Sequence, residues 1–263
     1  DASAYRELPA AVCLPQNVDD LHKIIRWSVD TGNPLIPRTA GTSLAGQVVG
    51  NGVVVDFSHG MTRILEINRE AAWVRVQPGV IRDDLNHHLK PLGLYFAPET
   101  STSNRAMIGG MVGIISCGSN SVVYGSTRDH ILEIKALLSN GEEVVFEDLD
   151  RGQLEAKLSS ENGSMEARIY RNMHEMLADP ANRESIRNGF PRPEITRRNT
   201  GYALDQLLQC VPFDDGGPPF NLCKLIAGSE GTLAMITEIK LQLVPTPPRS
   251  EEHTSELQSH API

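Results

Sequence analysis

From Ala11 to Val55 the apolar positions fall in a strand, helix, strand, strand order. Val18, Leu21, Ile24, Ile25 and Val29 share one helical stripe, with Asn17 placed to cap its start and Gly32 to stop it. The apolar runs around it, Ala11 to Leu14, Leu35 to Ile36 and Val53 to Val55, predict strands of a small sheet. This stretch therefore reads as a βαβ-type unit.

After Ile64 the period changes. Ile64, Leu65 and Ile67, then Trp73, Val74 and Val76, predict antiparallel strands across a turn at Asn68 to Glu70. A helix is predicted from about Arg82 to Lys90. Ile131 to Leu138 and Val144 to Phe146 flank Asn140-Gly141, a strong hairpin signal because both residues tolerate positive φ. Residues 152–190 read as a polar helical insertion with a thin apolar stripe of Ile169, Met173 and Met176. Leu222 to Ile226 and Met235 to Leu243 return to strand character, the second run stopped by Pro245.

Composition narrows the function classes. An apolar fraction of 40% in 263 residues suits a soluble globular chain with one or two cores. A net charge of -9 with no Lys/Arg block repels phosphate backbones, which argues against nucleic acid as a partner. Cys13, Cys117, Cys210 and Cys223 show no C-x-x-C spacing, so neither zinc nor a disulfide framework is expected, and they read as reduced cytoplasmic thiols. No apolar run approaches membrane-spanning length.

The final residues, RSEEHTSELQSHAPI at 249–263, carry no periodicity and follow a Pro-rich stop. They resemble the in-frame translation of a sequencing-library adapter. The expectation is a non-native tail, with natural sequence continuing beyond Pro248.

Four segments could carry chemistry. The first, Pro37 to Gln47 (PRTAGTSLAGQ), follows a predicted strand and is rich in small and hydroxyl residues. Such a loop can aim backbone N–H groups at an anion, although an ordinary surface loop reads the same way. The second runs from Pro98 through Ser103 into Met107 to Gly113 and Ser116 to Asn120. It reads either as a Ser/Thr-capped helix packed closely on a sheet or as a ligand wall, since each helical glycine costs about 1 kcal/mol relative to alanine. The third, Tyr124 to Asp129, and the fourth, Gly228 to Thr237, could each be a turn between strands. No G-x-G-x-x-G or Walker loop occurs.

In this order GTSLAGQ, IGGMVG, YGSTRDH and GSEGTLAMIT resemble the FAD-binding domain of the vanillyl-alcohol oxidase and p-cresol methylhydroxylase superfamily. The likeness spans about residues 2 to 246 and is strongest to bacterial D-lactate, glycolate and D-2-hydroxyglutarate dehydrogenases. It implies an α+β fold of two α/β subdomains with FAD between them, a small one over 2–56 and a larger one over 57–246 with a helical insertion near 152–210. A C-terminal cap domain would be absent. Pro37, Arg38, Thr39, Ala40, Gly41, Thr42, Ser43 and Leu44 would surround the FAD pyrophosphate, with Gln47 nearby. Pro98, Glu99, Thr100 and Ser101, with Gly109, Gly110, Ser116 and Gly118, would line the isoalloxazine and ribityl region. Tyr124 and Gly125 would continue that wall, and Glu230, Gly231 and Ile236 would lie near the adenosine end.

Two departures from the family matter. Ile114-Ile115 stands where relatives tend to carry polar residues, and no His lies in the Arg38 loop where covalently flavinylated relatives attach the cofactor. Non-covalent FAD is the expectation.

The implied reaction is hydride removal from a 2-hydroxy acid to the flavin, with an unidentified electron acceptor. The resemblance places the catalytic groups downstream, so no catalytic residue is named and the chain as given is expected to be inactive. Any iron–sulfur cluster would also lie downstream of Pro248. The expected location is the cytoplasm or the periphery of the inner membrane. Rivals are a flavin-binding module without activity of its own and an enolpyruvyl-sugar reductase of the same fold. His87-His88 reads as an exposed helix pair, and Arg197-Arg198 as a solvated pair ahead of Tyr202.

Overall fold

The computed structural model describes residues 3–192, 194–195 and 198–247. Pro248, the adapter-like run at 249–263 and Arg197 lie outside the described residues.

The first subdomain has the expected order: β1 (Ala11–Cys13), α1 (Val18–Thr31), β2 (Leu35–Arg38) and β3 (Val53–Asp56). The three strands pair in parallel in the order β1-β3-β2. Asn17 caps α1 by accepting from the Asp20 N–H at 3.0 Å, and Gly32 closes it in the left-handed region at φ 69°. This unit does not fill its own core. Leu21 and Ile25 of α1 pack with Val55, Phe57 and Met61, and the cluster is completed by Leu137 and Met235 from the second sheet.

The second subdomain opens with β4 (Ile64–Asn68), β5 (Trp73–Val76), α2 (Arg82–Leu89), the two-residue β6 (Leu94–Tyr95), α3 (Ile108–Gly113) and the single-turn α4 (Ser121–Tyr124). A 3-10 turn at Thr127–His130 leads into β7 (Ile131–Leu137) and β8 (Glu143–Glu147). Then come α5 (Arg151–Leu158), α6 (Met165–Ala178), α7 (Pro180–Gly189), α8 (Leu204–Leu207), α9 (Cys223–Ile226), β9 (Met235–Gln242) and β10 (Val244–Pro245). β9 lies at the centre of a five-stranded antiparallel sheet ordered β4-β5-β9-β7-β8. Its Ile239 and Leu241 face the main core, while Glu238 and Lys240 alternate onto the other face.

Several expectations are corrected. Leu222 to Ile226 is not a strand: the Asn221 side chain accepts from the Cys223 N–H at 2.8 Å and starts the helical turn α9. So short an apolar run fits a buried turn as well as a strand. The last strand ends at Gln242, and Val244–Pro245 pair instead with Leu94–Tyr95. The third and fourth motifs are not turns between strands, since each links a helical turn to a strand. The stripe of the insertion is broader than expected, because Ala167, Tyr170 and Leu177 are fully buried beside Ile169, Met173 and Met176.

Candidate cofactor-binding cleft

The loop that follows β2 is built around a partly buried ion pair. Arg38 Nη1 donates to Asp56 Oδ2 at 2.5 Å, and Asp56 is almost fully buried at the end of β3. Gly41 crosses this guanidinium at φ 63°, and a Cβ there would lie 2.8 Å from Arg38 Nε. Both the backbone region and the space therefore demand glycine. Among the described residues, the N–H groups of Thr39, Ala40, Gly41 and Thr42 have no acceptor in the protein. Successive free amides of this kind suit an anion.

This loop touches the other motifs through missing side chains. A Cβ on Gly110 of α3 would lie 2.6 Å from Thr39 Oγ1, and one on Gly231 would lie 2.2 Å from Pro37 Cγ. Gly109 fits against Pro78 in the same way. The glycine cost noted for α3 thus has a packing cause, and α3 has no Ser/Thr cap, since Met107 stands at its N-cap. Its C-terminal end is tied to the fourth motif by Gly228 N–H to Val112 O and Glu230 N–H to Gly113 O, both 3.0 Å. The third motif joins through Thr127, whose N–H and hydroxyl both donate to Ser116 O.

Between these segments lies a cleft of about 740 Å³, within the range of small-molecule sites. Of the anticipated residues it is lined by Pro37 through Leu44, Gln47, Thr100, Ser101, Gly109, Gly110, Ser116, Glu230, Gly231 and Ile236. Pro98, Glu99, Gly118, Tyr124 and Gly125 are not part of that lining. Glu99 is occupied structurally: Ser119 Oγ donates to it at 2.5 Å, and Asn120 donates through both its N–H and its side chain. These bonds, that from Ser119 foremost, hold its carboxyl below the usual range. Gly118 leaves room for the Glu99 side chain, Gly125 leaves room for Asp129, and the Pro98 carbonyl accepts from Arg82. The Tyr124 ring meets Tyr95 edge-on, and its carbonyl is bonded to His130.

Cleft residues that were not among the anticipated site residues include Arg105, Cys117 and Asn199. Asn199 Nδ2 donates to the carbonyls of Ile114 and Ile115, and Cys117 Sγ donates to Asn199 Oδ1 at 3.3 Å. Of the Ile114-Ile115 departure, only Ile114 reaches the cleft, while Ile115 is buried beneath Gly228. His87 and His88 are exposed on α2. Arg198 is not solvated, because it pairs with Asp205 and both side chains are 13% exposed. Beside this pair, buried Arg128 donates through Nη2 to Thr200 O at 3.1 Å and Ala227 O at 2.9 Å. Burial first, and Arg198 nearby, push the Arg128 guanidinium down to about 10.

Comparison with known families matches residues 9–147 to the family described as FAD binding domain. The chain belongs to this family. FAD is its cofactor, and the free amides of the Thr39 loop and the size of the cleft fit the diphosphate and bulk of that group. The FAD domain is 40% identical over 253 residues to a D-2-hydroxyglutarate dehydrogenase of Escherichia coli (strain K12), covering 94% of this chain and 24% of that protein. It is 28% identical to a glycolate oxidase subunit of Bacillus subtilis (strain 168), covering 92% of the chain and 38% of the subunit. It therefore spans about a quarter to two fifths of the length of these relatives. A solved alkyldihydroxyacetonephosphate synthase shares the fold at a TM-score of 0.57 and 16% identity, over 90% of this chain and 32% of that one. Among the described residues no helix is long and apolar enough to cross a membrane, and no His/Cys/Asp/Glu group is arranged to hold a metal ion.

Proposed function

We propose that this FAD domain is the cofactor-holding part of an oxidoreductase acting on a 2-hydroxy acid of the D-2-hydroxyglutarate, D-lactate or glycolate type. The observation that carries the reading is the 40% identity to a D-2-hydroxyglutarate dehydrogenase across 94% of the chain. When bound, FAD supplies a hydride acceptor for the α-carbon of the acid. The protein supplies the binding and the geometry.

In this reading the amides and hydroxyls at Thr39 to Thr42 bind the diphosphate, and the Arg38–Asp56 pair holds that loop in shape. Glu230 and Gly231 border the adenosine end. Thr100, Ser101, Gly109, Gly110 and Ser116 form the wall beside the isoalloxazine, backed by Pro98, Glu99, Gly118, Tyr124 and Gly125. FAD is held non-covalently, consistent with an Arg38 loop that has no His. The described lining contains one carboxylate, Glu230, and no imidazole. The group that takes the hydroxyl proton is accordingly assigned to the remainder of the enzyme. The protein is placed in the cytoplasm or against the inner membrane, passing electrons to an acceptor not yet named.

The test is anaerobic mixing of the natural full-length protein with a panel of D-2-hydroxy acids. Bleaching of the flavin absorbance by at least one of them is expected. No bleaching by any D-2-hydroxy acid, with reoxidation of the chemically reduced flavin by an enolpyruvyl sugar, or with flavin reduction only by a partner protein, would replace the proposal with one of its rivals.

A further inference from the structure

Charge is distributed unevenly around the cleft. Of the cations in its described lining, Arg38 is neutralised by Asp56. Arg105 has no carboxylate, carbonyl or hydroxyl partner for its guanidinium among the described residues, although it is exposed and borders the same cavity. Two acids on the flanking segments have partners of their own. Glu99 is held by Ser119 and Asn120, while Asp83 is bonded to Arg82 and Ser103.

The backbone beneath Arg105 is nevertheless fixed. The N–H groups of Arg105 and Ala106 both donate to Thr102 O, at 2.9 and 2.7 Å. Ala106 is buried, and its carbonyl accepts from the Arg82 N–H at 2.9 Å. A hydrogen-bonded turn thus carries a permanently charged fork at the border of the cavity that Thr100, Thr102, Gly109 and Gly110 also line.

We infer that Arg105 is an oxyanion anchor of the loaded cleft, taking either a carboxylate of the bound acid or a phosphate of the cofactor. The inference rests on the proposed function for the carboxylate source and on the family alone for the phosphate source. Guanidinium binds both groups through paired N–H···O contacts, and a desolvated partner strengthens them. Because Arg105 is exposed and its guanidinium has no hydrogen-bond or ion-pair partner among the described residues, its replacement should not disturb the fold.

The test uses the 263-residue chain with Arg105→Met and Arg105→Lys. FAD and riboflavin affinities are read by fluorescence quenching, and the FAD-loaded chain is titrated with glutarate, a dicarboxylate that cannot be oxidised at a hydroxyl, while the flavin spectrum is followed. Arg105→Met is expected to keep the wild-type melting temperature and to lose about tenfold or more in one arm, the scale for a lost hydrogen bond to a charged group. Arg105→Lys should recover part of it. Weaker FAD binding with unchanged riboflavin binding assigns the phosphate, and weaker glutarate binding with unchanged FAD binding assigns the carboxylate. Wild-type affinity for FAD in Arg105→Met, together with a glutarate response equal to the wild type's or missing from both chains, would overturn the inference. Failure of the full-length protein to oxidise any 2-hydroxy acid would remove the proposed function and leave these binding measurements to decide Arg105 on their own.

Discussion

Single atoms set the spacing between the cofactor segments. Gly110 and Thr39 meet so closely that a methyl on the glycine would sit 2.6 Å from the threonine hydroxyl but 4.0 Å from its Cβ. Gly110→Ala should therefore weaken FAD binding, and Thr39→Ala in the same chain should restore much of it. A double-mutant cycle of FAD affinities checks this, since the coupling must be favourable if steric contact is the cause. Gly41 differs, because its positive φ and the guanidinium beside it both oppose a side chain. Much of this was legible: the glycine-rich runs could be located, but not the neighbours they accommodate, which lie far away in the chain. Arg105, next to a recognised motif, escaped notice because a free arginine looks like any surface charge until a cavity is known to border it.

At the scale of elements, local signals succeeded where one residue dictates the backbone. Asn17, Gly32 and the Asn140-Gly141 pair fixed α1 and the β7–β8 hairpin from sequence alone. The four residues of α9, three of them buried, could not be assigned that way, because Asn221 decides their conformation through a side-chain bond. The charged face of the large sheet was also invisible, since it depends on register. There Arg75 on β5 grips Glu133 on β7 through bonds of 2.5 and 3.1 Å, with Glu238 of the intervening β9 at 3.5 Å. Hydrogen bonding by Arg75 holds the Glu133 carboxyl below its usual value of 4.5. Its stabilisation is thus present above that value and is lost as pH falls through the lower folded-state pKa. Glu133→Gln should cost about 3 kcal/mol at neutral pH. Urea melts across pH 3 to 7 should show a shallower acid limb in the variant, and parallel curves would deny the pair this role.

The whole molecule is held together by contacts that cross between segments. Leu137 and Met235 of the large sheet complete the core of the small subdomain. Arg128 joins Thr200 and Ala227, thereby fixing the neighbouring Asn199 and the Gly228–Gly231 turn that border the cleft. Removing its two charge-assisted bonds in Arg128→Met should destabilise the fold by about 2–4 kcal/mol, read by chemical denaturation, and should weaken FAD binding in parallel. The family and the two-subdomain fold were legible because four separated motifs occur in a fixed order. The buried Arg128, Arg198 and Asp205 group was not, since its members are brought together only by folding. The central claim is that FAD occupies this cleft non-covalently, and the most direct measurement is a fluorescence titration of the purified chain with FAD beside its Gly41→Val variant, followed by acid precipitation. Saturable quenching by the wild type, loss of binding with retained secondary structure in Gly41→Val, and complete release of flavin into the acid supernatant are predicted. Equal FAD affinity in both proteins, or flavin remaining with the pellet, would contradict the account.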